Sequence, residues 1–422
     1  MSGPQDLPRF VQLAQIISSS VTQLHDILSA ERMPFPSFED NGTFHMPKVA
    51  SEVQDVLIDA TAELHDLLLD PMSLLILKTD HTNQIPIQAI TRFKIASMIP
   101  ENGYATYEDI ARQTCFSEPV LRRMLQGAMA MRIFREPEPG MVAHTKASRL
   151  LVDEQINDWL GAHAEEGWSC AVKAIDALEK WPKSQEPNES AFALANHTTS
   201  GFYDVFNSTP ERARRFTNFI KTTASAPDLD PVHVLDNYDW GSLGTATVVD
   251  LGGSQGHVAI ELAKRFGNLK IVVQDLENVV AGADDAVPEE LRGRVRFEAH
   301  NFFEPQVAQP DVFFLRLVLH NWTDKYSVRI LRALVPSLRN GSRVIIMDVC
   351  MRETGVLPLW KEKIVRRTDM MMGVFLNARE RTYGEWKALL SDADPRFMLK
   401  EVIQPQESGL ALIDVRWDNP MS

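Results

Sequence analysis

The sequence has 422 residues, more than a single hydrophobic core usually organises, so we expect two domains. Its formal net charge of −14 and pI near 5.3 disfavour nucleic acid and anionic membranes as partners. The three cysteines are widely spaced, no apolar stretch reaches membrane-spanning length, and no secretory signal pattern is present, so the composition predicts a cytoplasmic protein without a membrane partner.

Two amphipathic helices are predicted near the beginning of the chain. Residues 7–30 and 49–69 carry apolar side chains at helical spacing, and segment 33–44, with two prolines, has the composition of a linker. Little chain lies between these helices to cover both of their apolar faces. They pair with a second copy of the chain in one interpretation and pack on the chain's own body in the other, and periodicity favours neither.

Residues 85–151 are predicted to form a compact block with a winged-helix layout. Helices are expected at 87–99, 107–113 and 119–131, with Ser117 as cap of the third, followed by a hairpin of 134–136 and 141–144. Winged helices often bind DNA, and Arg122 and Arg123 lie on the candidate recognition helix. Two arginines on an acidic chain are weak support for that function, so we expect no nucleic-acid partner.

A helical connector with many aromatic residues is predicted next, at 151–232. Its rings suit both an internal core and a wall around an apolar or aromatic ligand, and Phe206 is one of them. Pro227 and Pro231 mark its end. We therefore divide the chain into an N-terminal helical domain at 1–150, this connector, and a third part at 233–422.

The third part opens with a strand, a glycine turn, a helix and a second strand. The β-branched run 247–250 predicts a buried strand, the glycines of 252–256 break it, and a second buried strand at 271–273 leads to Asp275. An acid about 20 residues beyond such a turn is placed to accept hydrogen bonds from a ribose. The glycines fit G-x-x-x-G and not the dinucleotide fingerprint, so a tight turn without a ligand is the alternative.

Further strands complete a predicted α/β fold. They are expected at 295–299, 312–319 and 343–349, with a helix at 327–338 and a terminal antiparallel pair at 397–403 and 410–417.

These motifs in this order resemble the class I S-adenosylmethionine-dependent O-methyltransferases, in the caffeate-type branch of plants and its fungal relatives. The resemblance rests on the following matches: VVDLGGSQG at 248–256, VVQDL at 272–276, AHNFF at 299–303, FFLRLVLHNW at 313–322, RVIIMDV at 343–349 and NARERT at 377–382. It covers nearly the whole chain and implies a Rossmann-like catalytic domain after an all-α winged-helix and dimerisation domain. It also implies a homodimer and a role in secondary metabolism.

The resemblance implies a binding site for S-adenosyl-L-methionine. Asp250, Gly252 and Gly256 would line its methionine end, and Asp275 would hold the ribose hydroxyls. The remaining cofactor contacts that it implies are Leu276 on the adenine, Asn301 and Phe302 beside the adenine, and Arg316 as a basic group near the cofactor. Relatives commonly have Asp at the position of Asn301, whose oxygen still accepts from an amino group.

The resemblance also implies a catalytic group made of His320, Asp348 and Glu380. Because a phenol with a pKa near 10 is mostly protonated at neutral pH, a histidine base assists its attack on the activated methyl, and no metal is required. The two carboxylates would orient the histidine. The histidine follows the fourth strand, Asp348 ends the fifth, and Glu380 is expected to open a helix, so all three lie at the carboxyl edge of the sheet.

The acceptor is expected to be a phenolic or polyketide-like small molecule. Asn377, Met372 and Phe206 are the predicted substrate residues. One departure from the family pattern is Asn321, which follows His320 where Asp is usual.

Three other functions stay open at this point. A pericyclase or dehydratase on the same fold would use the cofactor as a bound positive charge, and an N-methyltransferase would need no strong base. A winged-helix regulator with a vestigial second domain would need a basic recognition face, which the sequence does not show.

Overall fold

The structure is a computed structural model that describes residues 7–39, 46–206 and 209–418. It divides into two compact units. The first contains the residues up to Ser169 together with Glu211–Ile220 and Thr354–Arg366, and the second contains Cys170–Pro210, Lys221–Glu353 and the residues from Arg367 onward. The predicted connector at 151–232 is therefore shared between the units, whereas the three-part division of the sequence follows chain order.

The helices of the described residues are α1 Arg9–Ala30, α2 Ser51–Leu68, α3 Pro71–Lys78, α4 Gln84–Arg92, α5 Tyr107–Ala111, α6 Glu118–Ala130, α7 Lys146–Leu150, α8 Glu154–Ala162, α9 Trp168–Ala171, α10 Ala174–Lys180, α11 Ala191–Ala195, α12 Phe202–Phe206, α13 Pro210–Ala224, α14 Val232–Asn237, α15 His257–Arg265, α16 Glu277–Val280, α17 Asp324–Leu334, α18 Leu359–Leu376 and α19 Tyr383–Ala393. The strands are β1 Tyr104–Thr106, β2 Met141–Ala143, β3 Ala246–Leu251, β4 Leu269–Asp275, β5 Val295–Ala299, β6 Val312–Arg316, β7 Arg343–Asp348, β8 Cys350–Met351, β9 Arg381–Thr382, β10 Phe397–Ile403 and β11 Ala411–Trp417.

The two predicted N-terminal helices, α1 and α2, are present in the first unit. Leu24 and Leu28 of α1 share a small core with Ala50 and Val53. Residues 40–44 of the predicted linker lie outside the described residues. The sequence prediction missed α3, although the Asp70 carboxylate caps it at 3.0 Å from the Met72 N–H and proline occupies its first position.

The winged-helix block differs from its prediction in two places. The helix expected at 87–99 ends at Arg92, because Lys94 adopts a left-handed conformation (φ 50°) before a short 3₁₀ segment, Ile95–Met98. Strand β2 pairs with β1, whereas 134–136 contributes only a single bridge at Arg135, so the predicted hairpin was wrong in its first strand.

The second unit is built on a seven-stranded sheet in the order β10-β11-β7-β6-β3-β4-β5. The five strands from β7 to β5 are parallel, and β10 and β11 form the predicted antiparallel pair. The chain leaves β3 toward β4 and β5 and returns to β6 on the other side of β3. This is a topological switch point, beside which open α/β sheets bind their ligands at the carboxyl ends of the strands.

Alternating residues of the central strands fill two cores, one on each face of the sheet. Val248 and Phe314 lie in one core, and Val249 and Phe313 lie in the other. This is the consequence of side chains that point to opposite faces at successive positions. Burial on both faces explains why these strands are continuous apolar runs in the sequence.

Two local predictions near the carboxyl edge were wrong. Strand β6 ends at Arg316 and not at 319, and a 3₁₀ turn, Leu319–Asn321, follows it. Glu380 does not open a helix, because β9 lies between it and α19 and pairs with β8. His320 therefore lies in a short 3₁₀ turn four residues beyond the end of β6, and Glu380 lies directly before β9.

The three cysteines are free thiols. Within the described ranges, no helix combines the length and the apolar character needed to cross a bilayer.

Candidate active site

The glycine turn after β3 and the acid at the end of β4 form one hydrogen-bonded unit. The Ser254 N–H donates to Asp275 Oδ2 at 2.9 Å, and the Leu276 N–H donates to Oδ1 at 2.8 Å. A carboxylate has about four acceptor positions. Asp275 therefore keeps the capacity to accept from two more donors, which suits a pair of neighbouring hydroxyls.

Packing within the protein already explains two of the glycines. Gly256 adopts a left-handed conformation (φ 72°), and a Cβ there would lie 2.7 Å from the Phe297 ring. A Cβ on Gly253 would lie 2.6 Å from the Asp250 carboxylate. The turn therefore requires glycine whether or not a ligand lies over it, so the glycines alone do not prove a binding site.

A buried carboxylate and a buried guanidinium give stronger support for a polar ligand. Asp250 is only 3% exposed, and burial raises its pKa to about 7, with Arg316 opposing the rise and Asp275 adding to it. Arg316 donates one N–H to the Leu229 carbonyl, but its buried Nε has no hydrogen-bond partner among the described residues. Burying an unpaired polar atom is costly, so the Nε atom of Arg316 leaves an unmet donor beside the Asp250 carboxylate that a polar ligand could use.

Two apolar side chains, Leu276 and Phe302, each directly follow a polar residue that is a predicted cofactor contact. Leu276 follows Asp275 and is half exposed. The Asn301 Oδ1 accepts from the Phe303 N–H at 3.1 Å, and Phe302 belongs to an aromatic cluster with Phe303 and Trp322. Asn301 thus shapes the backbone of this loop while the rest of its amide stays available.

His320, Glu380 and Asp348 come together although their positions are far apart in the sequence. His320 Nδ1 lies 3.0 Å from Glu380 Oε1, with side-chain exposures of 12% and 0%. Asp348 ends β7, is fully buried, and accepts from the Leu319 N–H at 3.1 Å. The second oxygen of each carboxylate is buried without a hydrogen-bond partner among the described residues.

Neighbouring charges set the direction of the pKa shift of His320. Burial lowers the pKa of His320, but the negative charges of Asp348 and Glu380 outweigh burial and raise the pKa above its ordinary value. Burial raises the pKa of Asp348 to about 6, and His320 opposes that rise. The cluster therefore stabilises a protonated imidazole, which is the state that a general base reaches after it accepts a proton.

A strained turn carries His320. Leu317 has a left-handed conformation (φ 53°), which a branched side chain rarely adopts. Its N–H donates to the Met347 carbonyl at 3.0 Å, and its carbonyl accepts from Asn321 Nδ2 at 2.8 Å. Asn321 therefore supplies a donor that an ionised aspartate could not supply, which gives this departure from the family pattern a structural role.

Asn377 holds the main chain in this structure. Its Nδ2 donates to the carbonyls of Ser184 and Glu186 at 3.0 and 3.2 Å. Thr323, three residues after His320, donates from Oγ1 to the carbonyl of Gln185 at 2.9 Å. Segment 184–186 is thus tied to the turn of His320 and to the end of α18. The role of Asn377 toward a substrate stays a prediction.

The predicted substrate residue Phe206 lies in a cluster of rings. It is 4.6 Å from Phe202 and 5.5 Å from Phe192 between ring centroids, and Phe375 of α18 lies 5.5 Å from Phe202. Met372 is half-buried on the same helix. The structure groups aromatic residues of α11, α12 and α18, and the contact of any of them with substrate stays a prediction.

Sequence reasoning missed two residues that form hydrogen bonds with the segments carrying His320 and Glu380. Asp369 accepts from the Glu380 N–H at 2.8 Å, and Arg381 is fully buried with hydrogen bonds around the turn of His320. Arg381 stands inside the recognised motif NARERT, but nothing in the sequence distinguishes a buried arginine from the exposed Arg379 two residues before it.

Comparison with known proteins identifies the family. Residues 181–395 match the family model of the O-methyltransferase domain, and residues 85–154 match that of the O-methyltransferase dimerisation domain. The chain belongs to the O-methyltransferase family. It is 40% identical over 418 residues, 98% of each chain, to O-methyltransferase PaMT of Phomopsis amygdali. It is 31% identical to the chlorophenol O-methyltransferase of Trichoderma longibrachiatum, over 97% of this chain and 90% of that one.

Solved structures share the fold of this O-methyltransferase. OxaC in complex with SAH and oxaline superimposes with a TM-score of 0.75 over 97% of this chain and 100% of that chain, at 18% identity. A protein described as a pericyclic reaction enzyme gives a TM-score of 0.70 over 96% and 100%, at 20% identity. At these identities the similarity establishes the fold alone, which confirms the predicted methyltransferase fold.

The cofactor of this O-methyltransferase is S-adenosyl-L-methionine. The residues at the sheet edge fit it chemically. Asp275 has acceptor capacity left for a ribose diol, Leu276 offers apolar surface for an adenine, and Asp250 with Arg316 offers opposite charges for an amino-acid group.

Proposed function

We propose that this O-methyltransferase methylates a hydroxyl of an aromatic or polyketide-type small molecule, with His320 as the general base. The observation that carries the proposal is the 3.0 Å hydrogen bond between His320 Nδ1 and the buried carboxylate of Glu380, beside the buried Asp348. Such an arrangement is suited to proton removal and is not needed to hold a cofactor passively.

The geometry supports a specific direction of proton transfer. When bound, S-adenosyl-L-methionine supplies a methyl group that is already activated by its positive sulfur. Because Glu380 occupies Nδ1, the Nε2 atom of His320 is the nitrogen that would take the hydroxyl proton as the acceptor oxygen receives the methyl group. The bond from that methyl group to sulfur would break in the same step, and SAH would leave with a neutral sulfur. Glu380 fixes the tautomer, and both carboxylates stabilise the imidazolium that results.

Asp275 is the proposed contact of the ribose, and Leu276 is the proposed contact of the adenine. Asn301 and Phe302 are proposed to lie beside the adenine. Asp250, Gly252, Gly256 and Arg316 are assigned to the methionine end. The support is local: hydrogen-bonded order at Asp275 and the unpaired Nε of Arg316.

The aromatic cluster of Phe192, Phe202, Phe206 and Phe375 supports an aromatic or otherwise apolar acceptor. The chlorophenol specificity in the name of one relative agrees with a phenol as acceptor class. A hydroxyl needs a base to remove its proton, whereas a neutral amine attacks through its free lone pair. The presence of a base therefore favours oxygen over a basic nitrogen as the methylated atom.

A transfer assay tests this proposal. We expect the purified protein with S-adenosyl-L-methionine to methylate members of a panel of phenols and polyketide phenols, with one SAH formed for each methyl transferred. Amine analogues of the same acceptors serve as the comparison. Cofactor binding without transfer to any acceptor would instead favour the pericyclase or dehydratase alternative.

The pH dependence of the reaction follows from the state of His320. A base must start neutral, so kcat/KM should fall as the pH falls through the His320 pKa, and this limb should lie above pH 6.5 because the pKa is raised. Glu380→Gln removes one negative charge and should move the limb to lower pH. Glu261→Gln, on the exposed part of α15, is the control. An acid limb that stays in place in Glu380→Gln would contradict the coupling.

We further propose a homodimer formed through the first unit. The match to the dimerisation domain supports it, as do four exposed apolar side chains on α3: Met72, Leu75, Ile76 and Leu77. A second copy that covers them would remove a large apolar patch from water. A sedimentation mass equal to one chain at micromolar concentration would contradict the dimer.

Location in the cytoplasm stays a prediction, supported by the three free thiols.

A further inference from the structure

Arg381 is a fully buried cation that the proposed proton transfer does not use. Its side chain is completely covered, and burial lowers its pKa while Asp324 opposes that change. Its guanidinium donates four hydrogen bonds, which go to Asp324 Oδ1 at 2.9 Å, the Leu319 carbonyl at 3.0 Å, the Trp322 carbonyl at 2.8 Å and Ser327 Oγ at 3.1 Å. A buried charge with this many partners needs an explanation beyond packing.

Two of these acceptors enclose His320. The Leu319 carbonyl lies one residue before it, and the Trp322 carbonyl lies two residues after it. A single planar guanidinium thus holds both ends of the turn that presents the imidazole.

The backbone of Arg381 adds two more connections. Arg381 directly follows Glu380, and it pairs with Cys350 in the short parallel ladder of β8 and β9, two residues after Asp348. Arg381 is therefore linked to the turn of His320 through its side chain, to Glu380 through a peptide bond, and to the segment after Asp348 through strand pairing.

We propose that Arg381 is a positioning residue that keeps the His320 turn in register with the Glu380 and Asp348 carboxylates. The inference rests on the proposed role of His320 as the base. Because the hydrogen bond between His320 and Glu380 joins residues 60 positions apart, local chain geometry does not maintain it, and the clamp made by Arg381 does.

Arginine is the residue type that this task requires. Its five donors lie in a rigid plane, so it can bind two carbonyls, a hydroxyl and a carboxylate together. Lysine has three donors on one atom and cannot reach the same acceptors in that plane. Asp324, at the first position of α17, is held in turn by Arg379 at 2.7 Å.

The charge of Arg381 acts in the same cluster. The charged groups that face His320 are the carboxylates of Asp348 and Glu380, which raise its pKa, and the guanidinium of Arg381, which lowers it. Arg381 also opposes the raised pKa of Asp348. The cation thus prevents two neighbouring carboxylates from being left without compensation when His320 is neutral.

Arg381→Lys keeps the charge and removes the planar fork. We expect kcat to fall by about ten- to a hundredfold, the range of a small misplacement of reacting groups, while cofactor affinity stays within about threefold. Arg292→Lys is the control for the same exchange, because Arg292 pairs with Glu289 at an exposed position outside this cluster, and we expect it to stay within about twofold of the parent. A folded Arg381→Lys protein with parental kcat would overturn the proposal.

A double-mutant cycle separates positioning from general destabilisation. If Arg381 acts through His320, Arg381→Lys should reduce turnover in the parent protein but cause little further loss in the His320→Ala background. Equal losses in both backgrounds would mean a structural role and would overturn the proposal.

Ser327→Ala provides a second route if Arg381→Lys does not fold. Ser327 Oγ accepts from Arg381 and lies 3.2 Å from the Leu319 carbonyl, so its removal loosens the same clamp while the guanidinium remains. We expect kcat to fall about threefold or more with unchanged cofactor affinity, and again only when His320 is present. Unchanged kcat would count against the clamp. Full turnover in His320→Ala alone would instead refute the general base, so the two failures are distinguishable.

Discussion

Replacing His320 by alanine is expected to reduce turnover by about two to four orders of magnitude, which is the usual contribution of a general base. The affinity for S-adenosyl-L-methionine should remain close to that of the parent protein. The physical reason is the placement of the ring. Its Nδ1 is committed to Glu380, and the contacts proposed for the cofactor belong to other residues, on β3, β4 and β6 and on the loops that follow β3, β4 and β5.

His257 is the other histidine near the glycine turn that could be considered as the base. It is the first residue of α15, directly after the glycine turn, and it is exposed. His257→Ala should keep turnover within about twofold, because an exposed substitution away from buried contacts has a small effect. Initial rates with a phenolic acceptor, together with calorimetric cofactor binding, measure both variants. Full turnover in His320→Ala would exclude His320 as the base. The rate enhancement would then come from the positioning of the two ligands.

Replacing Asp275 by alanine is expected to weaken the binding of S-adenosyl-L-methionine about a hundredfold or more. A hydrogen bond to a charged group contributes about 1.5 to 3 kcal/mol, and two hydroxyls of a ribose would lose one each. The substitution also removes the acceptor for the Ser254 and Leu276 N–H groups, so the turn itself should become less ordered.

Asp275→Asn separates these two effects. It retains one carbonyl oxygen as an acceptor for the turn but loses the negative charge. Asp285→Ala, on an exposed 3₁₀ segment after β4, is the charge-matched control and should leave the dissociation constant unchanged. A parental dissociation constant for Asp275→Ala would place the ribose elsewhere.

The local sequence determined the part of the site that we propose binds the cofactor. The run at 247–250, the glycines and the strand that ends at Asp275 lie within one continuous unit of strand, turn, helix and strand. Its parts meet because they are neighbours in the chain, and the apolar runs are long enough to predict buried strands. This is why the position of Asp275 beside the turn could be predicted, and why the structure shows it hydrogen-bonded there.

The proposed catalytic part of the site depended on tertiary structure. His320 and Glu380 could be named from the family motifs, but the sequence placed Glu380 at a helix start, whereas the structure places it before a two-residue strand. A strand that short has no detectable periodicity, and its partner β8 lies about 30 residues away, so only the folded chain decides whether it forms.

The same reason applies to the groups that support His320. Leu317 was predicted to lie inside a strand, yet it has a left-handed backbone that tertiary hydrogen bonds hold in place. Asn377 was expected to meet a substrate, and its amide donates to two carbonyls nearly 200 residues away. Arg381 was not singled out, because the carbonyl acceptors that define it exist only once the turn after β6 is formed. The sequence by itself thus determined the family, the fold and the cofactor unit, because these follow from local patterns. Contacts between distant segments decided how His320, the proposed base, is held.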